Sequence, residues 1–152
     1  MNIALIVICS IVFIAAGQPE WLASGPLALR MASYHFFHAG ILHLAVNSLA
    51  LSTVFSSRHN DNLRCLFAGY AIATLCYPLS SVPCIGISNM IYAVIGMRTP
   101  PFSSAWWRTA PVITFMAVTA AMLFVPGISG LTHIVSFASG IACAYFARLW
   151  RS

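Results

Sequence analysis

The chain has 152 residues, of which 61% are hydrophobic and only 6% are charged, and its mean hydropathy is +0.91. This composition excludes an ordinary soluble domain and indicates a protein that crosses a lipid bilayer several times. Two acids oppose seven arginines, for a formal net charge of +5. Because the arginines flank apolar runs singly or in loose pairs, we interpret them as determinants of membrane topology and expect no nucleic-acid partner.

Six apolar segments are predicted to be membrane helices of one all-α domain covering residues 1–152. They lie at 2–17, 37–55, 63–79, 86–97, 110–125 and 131–150. The first is interpreted as a retained helix, not a signal peptide, because no lysine or arginine precedes it. Residues 18–34 are expected to form a short connector, and the polar stretch 56–62 a loop. Pro126 to Gly130 is predicted to be a tight turn.

The fourth segment is too short to cross a bilayer. A helix from Gly86 to Met97 would be about 18 Å long, against a hydrocarbon core of about 30 Å. Pro83 cannot lie in a helix interior, so residues 80–85 are expected to be non-helical at membrane depth, packed in protein or facing a wet cavity. This places the Ser88 hydroxyl beside buried water, an arrangement that a membrane-embedded nucleophile would need. The alternative is that Ser88 only caps the helix.

The arginines predict the topology. If six spans alternate, one side of the membrane carries six arginines and the other carries Arg30 alone. The positive-inside rule then places both termini in the cytoplasm. We expect a multi-pass protein of the plasma membrane. The N-terminal ends of the second, fourth and sixth helices consequently lie toward the outer face.

His133 opens the sixth helix and is followed by small residues at a spacing of four, namely Ser136, Gly140 and Ala144. Such a face lets two helix backbones approach closely, here against Ala93 and Gly96 of the fourth helix. His133 would then reach Ser88 and form a Ser–His dyad, since no acid is available to complete a triad. Tyr92 is the aromatic residue best placed to hold the imidazole. The alternative is that His133 is a packing or interfacial histidine.

A second polar cluster lies in the second span. His43 and Asn47 are four residues apart and share a helix face, so with the Ser88 N–H they are candidates for an oxyanion hole. A metal site built from His35, His38 and His43 is an alternative, disfavoured because no carboxylate lies near them. Interhelical hydrogen bonding alone is another. Five cysteines show no CxxC spacing, so we expect no disulfide framework, metal or cofactor.

Three motifs together resemble the rhomboid intramembrane serine proteases. They are His38-x4-His43-x3-Asn47, Gly86-x-Ser88 followed by Tyr92, and His133 opening a helix that contains Gly140. The resemblance covers about residues 30–146. It implies that Ser88 is the nucleophile, His133 the base, and His43 and Asn47 the oxyanion stabilisers. It also implies that Gly86 permits close packing and Tyr92 supports His133. The substrate it implies is a polypeptide with one transmembrane helix, cleaved near its outer end.

The chain departs from the family pattern at several positions. Asn89 stands where Gly or Ala is usual, Thr132 where Ala is usual, and Ser136-Phe137 where a small pair is usual. Asn89 is expected to place a polar side chain beside the nucleophile and alter the oxyanion geometry. An inactive rhomboid-like binding protein is therefore an alternative. A small channel or transporter is a further one, and it predicts a pathway that also reaches the cytoplasmic side.

Overall fold

A computed structural model describes residues 2–17, 19–54, 59–80, 82–98 and 129–149, with single helical positions at 117 and 121. Regular structure in these ranges is entirely helical, as predicted. The α-helices are α1 (Asn2–Ala16), α2 (Trp21–Ser24), α3 (Leu27–Ser33), α4 (Ile41–Val54), α5 (His59–Cys76), α6 (Ser88–Arg98) and α7 (Gly130–Leu149). Single 3₁₀ turns lie at Tyr34–Phe36 and Tyr77–Leu79.

Helix α6 forms the centre of the described part. Every residue from Asn89 to Val94 is buried, as is Gly96, and α4, α5 and α7 all pack against it. A helix that is apolar around its whole circumference gains most free energy from burial on all sides. The predicted short fourth helix is therefore present, although it begins at Ser88, two residues later than expected.

Helices α6 and α7 lie in backbone contact and run in the same direction. A Cβ on Gly140 would overlap the carbonyl oxygen of Ala93, and a Cβ on Gly96 would overlap that of Phe137. Only glycine permits such an approach, so the expectation that small residues join these two helices is confirmed. Helix α5 also approaches α6 closely, because a Cβ on Gly69 would lie 3.2 Å from the Met90 carbonyl oxygen.

The segment before α6 is non-helical, as predicted from Pro83. Ser80 and residues 82–87 form no helix. Gly86 has a φ of +104°, a conformation that side chains disfavour. Its N–H donates to the Tyr34 carbonyl oxygen at 3.0 Å. This bond ties the loop to the 3₁₀ turn before α4.

Several predicted boundaries were wrong. The connector 18–34 contains α2 and α3, and the second helix begins at Ile41, not at residue 37. Phe37 is extended, with a ψ of 148°, and the Gly40 carbonyl accepts the first helical bond of α4 from Leu44. Glycine in this position favours a helix start. The polar stretch 56–62 is also not wholly a loop, because α5 begins at His59.

The described helices only partly match six spans. Gly130–Ala147 is long and apolar enough to cross a membrane alone, and Leu27–Phe36 with Ile41–Val54 qualify together but are bent by 76°. The apolar helices Ile3–Ala16 and Leu63–Leu79 are shorter. Apart from the single helical positions 117 and 121, the predicted fifth span, 110–125, lies outside the described residues, as do residues 126–128 of the predicted turn; Gly130 belongs to α7. Large apolar side chains are exposed on α1, α4, α5 and α7, as on a surface that contacts lipid.

Candidate active site

Ser88 and His133 meet at the N-terminal ends of α6 and α7. The Ser88 Oγ lies 2.8 Å from the His133 Nε2, a normal hydrogen-bond distance. The two residues are 45 positions apart in the chain, and the close packing at Gly96 and Gly140 brings their helices together. The predicted proximity of the hydroxyl and the imidazole is therefore confirmed.

A backbone carbonyl orients the imidazole. The His133 Nδ1 lies 2.8 Å from the Ser129 carbonyl oxygen, which can only accept a hydrogen bond. The proton therefore resides on Nδ1, and the Nε2 lone pair is left to accept the Ser88 hydroxyl proton. The Tyr92 ring packs edge-on against the imidazole, with ring centroids 4.7 Å apart, as expected. The orientation that an acid supplies in a triad is supplied here by Ser129.

The sequence analysis missed this role of Ser129. The only available signal was spacing, because Ser129 lies four residues before His133 and a carbonyl oxygen has two lone pairs, one of which can accept from a side chain. Such spacing is common, and a main-chain carbonyl has no signature in the residue types.

His43 and Asn47 direct nitrogen atoms toward Gly86. A Cβ on Gly86 would lie 2.8 Å from the His43 Nε2 and 3.1 Å from the Asn47 Nδ2. The His43 Nδ1 accepts the Ala39 N–H at 3.4 Å, which leaves the Nε2 as the protonated donor. The Asn47 Nδ2 is buried and has no hydrogen-bond partner among the described residues. A buried donor without an acceptor is costly unless a ligand supplies one.

The Ser88 N–H is a third candidate donor. It opens α6, and the first N–H groups of a helix have no intrahelical acceptor. The positive end of the helix dipole reinforces the preference for negative charge at this point. The cavity that Ser88 lines is thus supplied with three candidate neutral donors, the kind of group that stabilises an oxyanion.

A cavity of about 550 Å³ opens at these groups. Its polar surface comes from His43, Asn47, Ser88, Asn89, Ser129 and His133. Most other lining side chains are small or apolar: Ala39, Gly40, Leu42, Val46, Pro83, Cys84 and Ile85. An apolar cavity with a few convergent polar groups is typical of a site that binds and acts on an apolar ligand.

Asn89 follows Ser88 directly and lines the cavity, but its amide is engaged elsewhere. The Asn89 Nδ2 donates to the Tyr34 hydroxyl at 3.2 Å, and the Oδ1 accepts from the Thr132 hydroxyl at 3.2 Å. The residue is 2% exposed. The expectation that this amide alters the oxyanion geometry has no support in these contacts.

The histidines of the alternative metal site do not converge. The His35 Nε2 lies 3.1 Å from the Thr74 hydroxyl on α5, whereas the buried His38 packs edge-on against His43, with ring centroids 5.2 Å apart. Among the described residues, no group of three His, Cys, Asp or Glu side chains is close enough to hold a metal ion. His38 is positioned to support the His43 ring by packing.

A search of curated proteins and a search of solved structures gave no significant match. The family model of the Rhomboid domain matches residues 27–150, which include every candidate residue described above. The chain therefore belongs to the rhomboid family and is an integral membrane protein with a polytopic fold.

Proposed function

We propose that the protein is an intramembrane serine protease that cleaves transmembrane polypeptides through a Ser88–His133 dyad. The supporting observation is the 2.8 Å contact between the Ser88 Oγ and the His133 Nε2, with the opposite ring nitrogen bonded to the Ser129 carbonyl. This arrangement combines a nucleophile, a base in the required tautomer and a group that orients the base. It opens on a cavity that also contains candidate oxyanion donors.

The first half of the reaction forms an acyl-enzyme. The Ser88 Oγ attacks the scissile carbonyl carbon while its proton passes to the His133 Nε2. The tetrahedral oxyanion receives hydrogen bonds from the Ser88 N–H, the His43 Nε2–H and the Asn47 Nδ2–H. The imidazolium then donates its proton to the leaving amine, the C–N bond breaks, and the substrate's acyl group remains on Ser88.

The second half of the reaction regenerates the enzyme. Water in the cavity attacks the acyl carbon and gives its proton to the His133 Nε2. Ser88 leaves as the alcohol with that proton, and the carboxylic acid product departs. Throughout the cycle the His133 Nδ1–H stays bonded to the Ser129 carbonyl, so the ring keeps one orientation.

The depth of the site supports a membrane substrate. Helix α6 has 11 residues and is about 17 Å long, so it occupies little more than half of a hydrocarbon core of about 30 Å. In the proposed topology the protein lies in the plasma membrane, and its arginine-rich side and both termini face the cytoplasm. Ser88, at the start of the short helix α6, then lies below the outer membrane surface. The substrate is then a single transmembrane helix that unwinds near its outer end.

Substrate cleavage by variants tests the proposal. The purified protein in proteoliposomes should cut a model single-span substrate, and Ser88→Ala and His133→Ala should each remove nearly all activity. The double variant should be hardly slower, because the two groups act as a unit. If the substrate binds but stays intact, and Ser88→Ala leaves that binding unchanged, the chain is an inactive rhomboid-like binding protein.

Accessibility separates the protease from a channel. A Ser88→Cys variant in a Cys84→Ala background should react with a membrane-impermeant thiol reagent added outside, and not with one enclosed within the vesicle. The background change is needed because Cys84 lines the same cavity. Reaction from both sides would favour a channel or transporter instead.

A further inference from the structure

The two departures from the family pattern at Asn89 and Thr132 contact each other. The Thr132 Oγ1 lies 3.2 Å from the Asn89 Oδ1 and 2.8 Å from the Ser129 carbonyl oxygen. Asn89 is 2% exposed and Thr132 is fully buried. Asn89 directly follows Ser88, and Thr132 directly precedes His133.

Tyr34 extends this contact to the loop before α6. Its hydroxyl accepts from the Asn89 Nδ2 at 3.2 Å and donates to the Ala73 carbonyl at 3.0 Å. Its own backbone carbonyl accepts the Gly86 N–H at 3.0 Å. A single buried residue therefore holds the chain on both sides of Ser88.

We propose that Tyr34, Asn89 and Thr132 form a polar clamp that sets the register of α6 against α7 and thereby the Ser88–His133 distance. Its role in turnover rests on the proposed function, whereas its effect on the dyad geometry does not. The three are positioning residues, since their side chains hydrogen-bond to one another and to the Ala73 and Ser129 carbonyls.

The glycine contacts and the clamp restrain different motions. Gly96 and Gly140 let the two backbones touch, but a smooth small-residue surface does not define how far one helix slides along the other. A slide would break the Asn89–Thr132 bond and leave the Asn89 Oδ1 buried without a donor. Inside a bilayer, water is not freely available to replace that donor.

The Ser129 carbonyl connects the clamp to the imidazole. The Thr132 Oγ1 and the His133 Nδ1 each lie 2.8 Å from this oxygen. Thr132 has a single hydroxyl proton to share between Ser129 and Asn89. A shift of Thr132 therefore disturbs the carbonyl that orients His133, in addition to the spacing of the dyad.

The kinetic test is a double-mutant cycle with Asn89→Ala and Thr132→Val. Each variant should lower kcat about tenfold with KM changed less than about twofold, since displacement of a reacting group by a fraction of an ångström affects the chemical step. The double variant should be no slower than the slower single one. Thr132→Ser should retain kcat because it keeps the hydroxyl.

A matched control uses the same helix. Ser136→Ala removes a fully buried hydroxyl one turn after Thr132, and that hydroxyl has no hydrogen-bond partner among the described residues. It should retain wild-type kcat. Wild-type kcat in both single variants, additive losses in the double variant, or recovery of the double variant to wild type would each overturn the clamp.

A spectroscopic test does not depend on cleavage. The ¹⁵N shift of the His133 Nε2, in protein labelled at histidine, reports its hydrogen bond to Ser88, and Ser88→Ala supplies the value for the broken bond. Thr132→Val should move the shift toward the Ser88→Ala value. Tyr34→Phe, which deletes only the hydroxyl, should do so more weakly and remains informative if Thr132→Val does not fold.

The two tests separate the clamp from the proposed function. If wild-type protein cuts no substrate but the shift moves as expected, the protease proposal fails and the clamp stands. If the protein is active and the shift in both Thr132→Val and Tyr34→Phe equals that of wild type, the clamp is refuted and the protease proposal stands.

Discussion

Activity should depend steeply on the contact between α6 and α7 at Gly140. In Gly140→Ala, the added Cβ would overlap the Ala93 carbonyl oxygen and lie 3.0 Å from the Met97 nitrogen. Both neighbours are main-chain atoms that cannot rotate away. A Cβ atom essentially never lies closer than 3.0 Å to a non-bonded heavy atom, so the helices must separate by about 1 Å. A displacement of about 1 Å costs about 100-fold in rate, or about 2.7 kcal/mol of activation free energy.

The assay is the initial rate of cleavage of a model transmembrane substrate in proteoliposomes, measured well below the unfolding temperature of each variant. Gly140→Leu, with a larger side chain, should abolish turnover although it alters neither reacting group. Ala142→Leu is the matched control, because Ala142 is exposed on the same helix. Wild-type turnover by a folded Gly140→Leu protein would refute the requirement for close packing.

Three further predictions concern the oxyanion donors and the base. Gly86→Ala should lower kcat at least tenfold and destabilise the fold by on the order of 1–3 kcal/mol. The reason is that the φ of +104° is strained for alanine and that the alanine Cβ would press on His43. An unchanged kcat and an unchanged midpoint of thermal unfolding would contradict this prediction. Asn47→Ala should slow cleavage by less than the roughly 100- to 1000-fold expected for a fully engaged donor, since two donors remain; a loss as large as that of Ser88→Ala would assign Asn47 a different role. Cleavage should rise with pH through about 5.5 to 7 and then level off, because the base must be neutral and an unperturbed histidine has a pKa of about 6.5; a rate that falls over this range would exclude His133 as the base.

The dyad could be predicted from the sequence because strong local constraints converge on it. Pro83 cannot lie in a helix interior, so a continuous helix through residues 80–85 is excluded. A helix that begins near residue 86 is too short to cross the membrane, and Gly140 marks the face of the sixth helix that approaches it. These constraints depend on residue types and spacing alone. They place Ser88 and His133 at one depth without knowledge of side-chain contacts.

The clamp could not be predicted in the same way. The Asn89–Thr132 contact joins residues 43 positions apart, and it exists only for one register of α7 against α6. The sequence analysis accordingly treated the two residues as separate departures. The start of α4 was missed for a related reason. Phe37 is extended, and the Gly40 carbonyl accepts the first helical hydrogen bond, so the helix begins only at Ile41. The pattern of apolar residues does not reveal either feature.

Covalent labelling of Ser88 tests the central claim most directly. The purified protein is incubated with a fluorophosphonate, a mechanism-based reagent for activated serines, and the adduct is located by mass spectrometry of peptides. We expect one adduct, on Ser88, absent in Ser88→Ala and formed at least about 100-fold more slowly in His133→Ala, since general-base assistance contributes about 10²- to 10⁴-fold. A protein that remains unlabelled at Ser88, or is labelled equally fast in His133→Ala, would contradict a Ser88–His133 dyad.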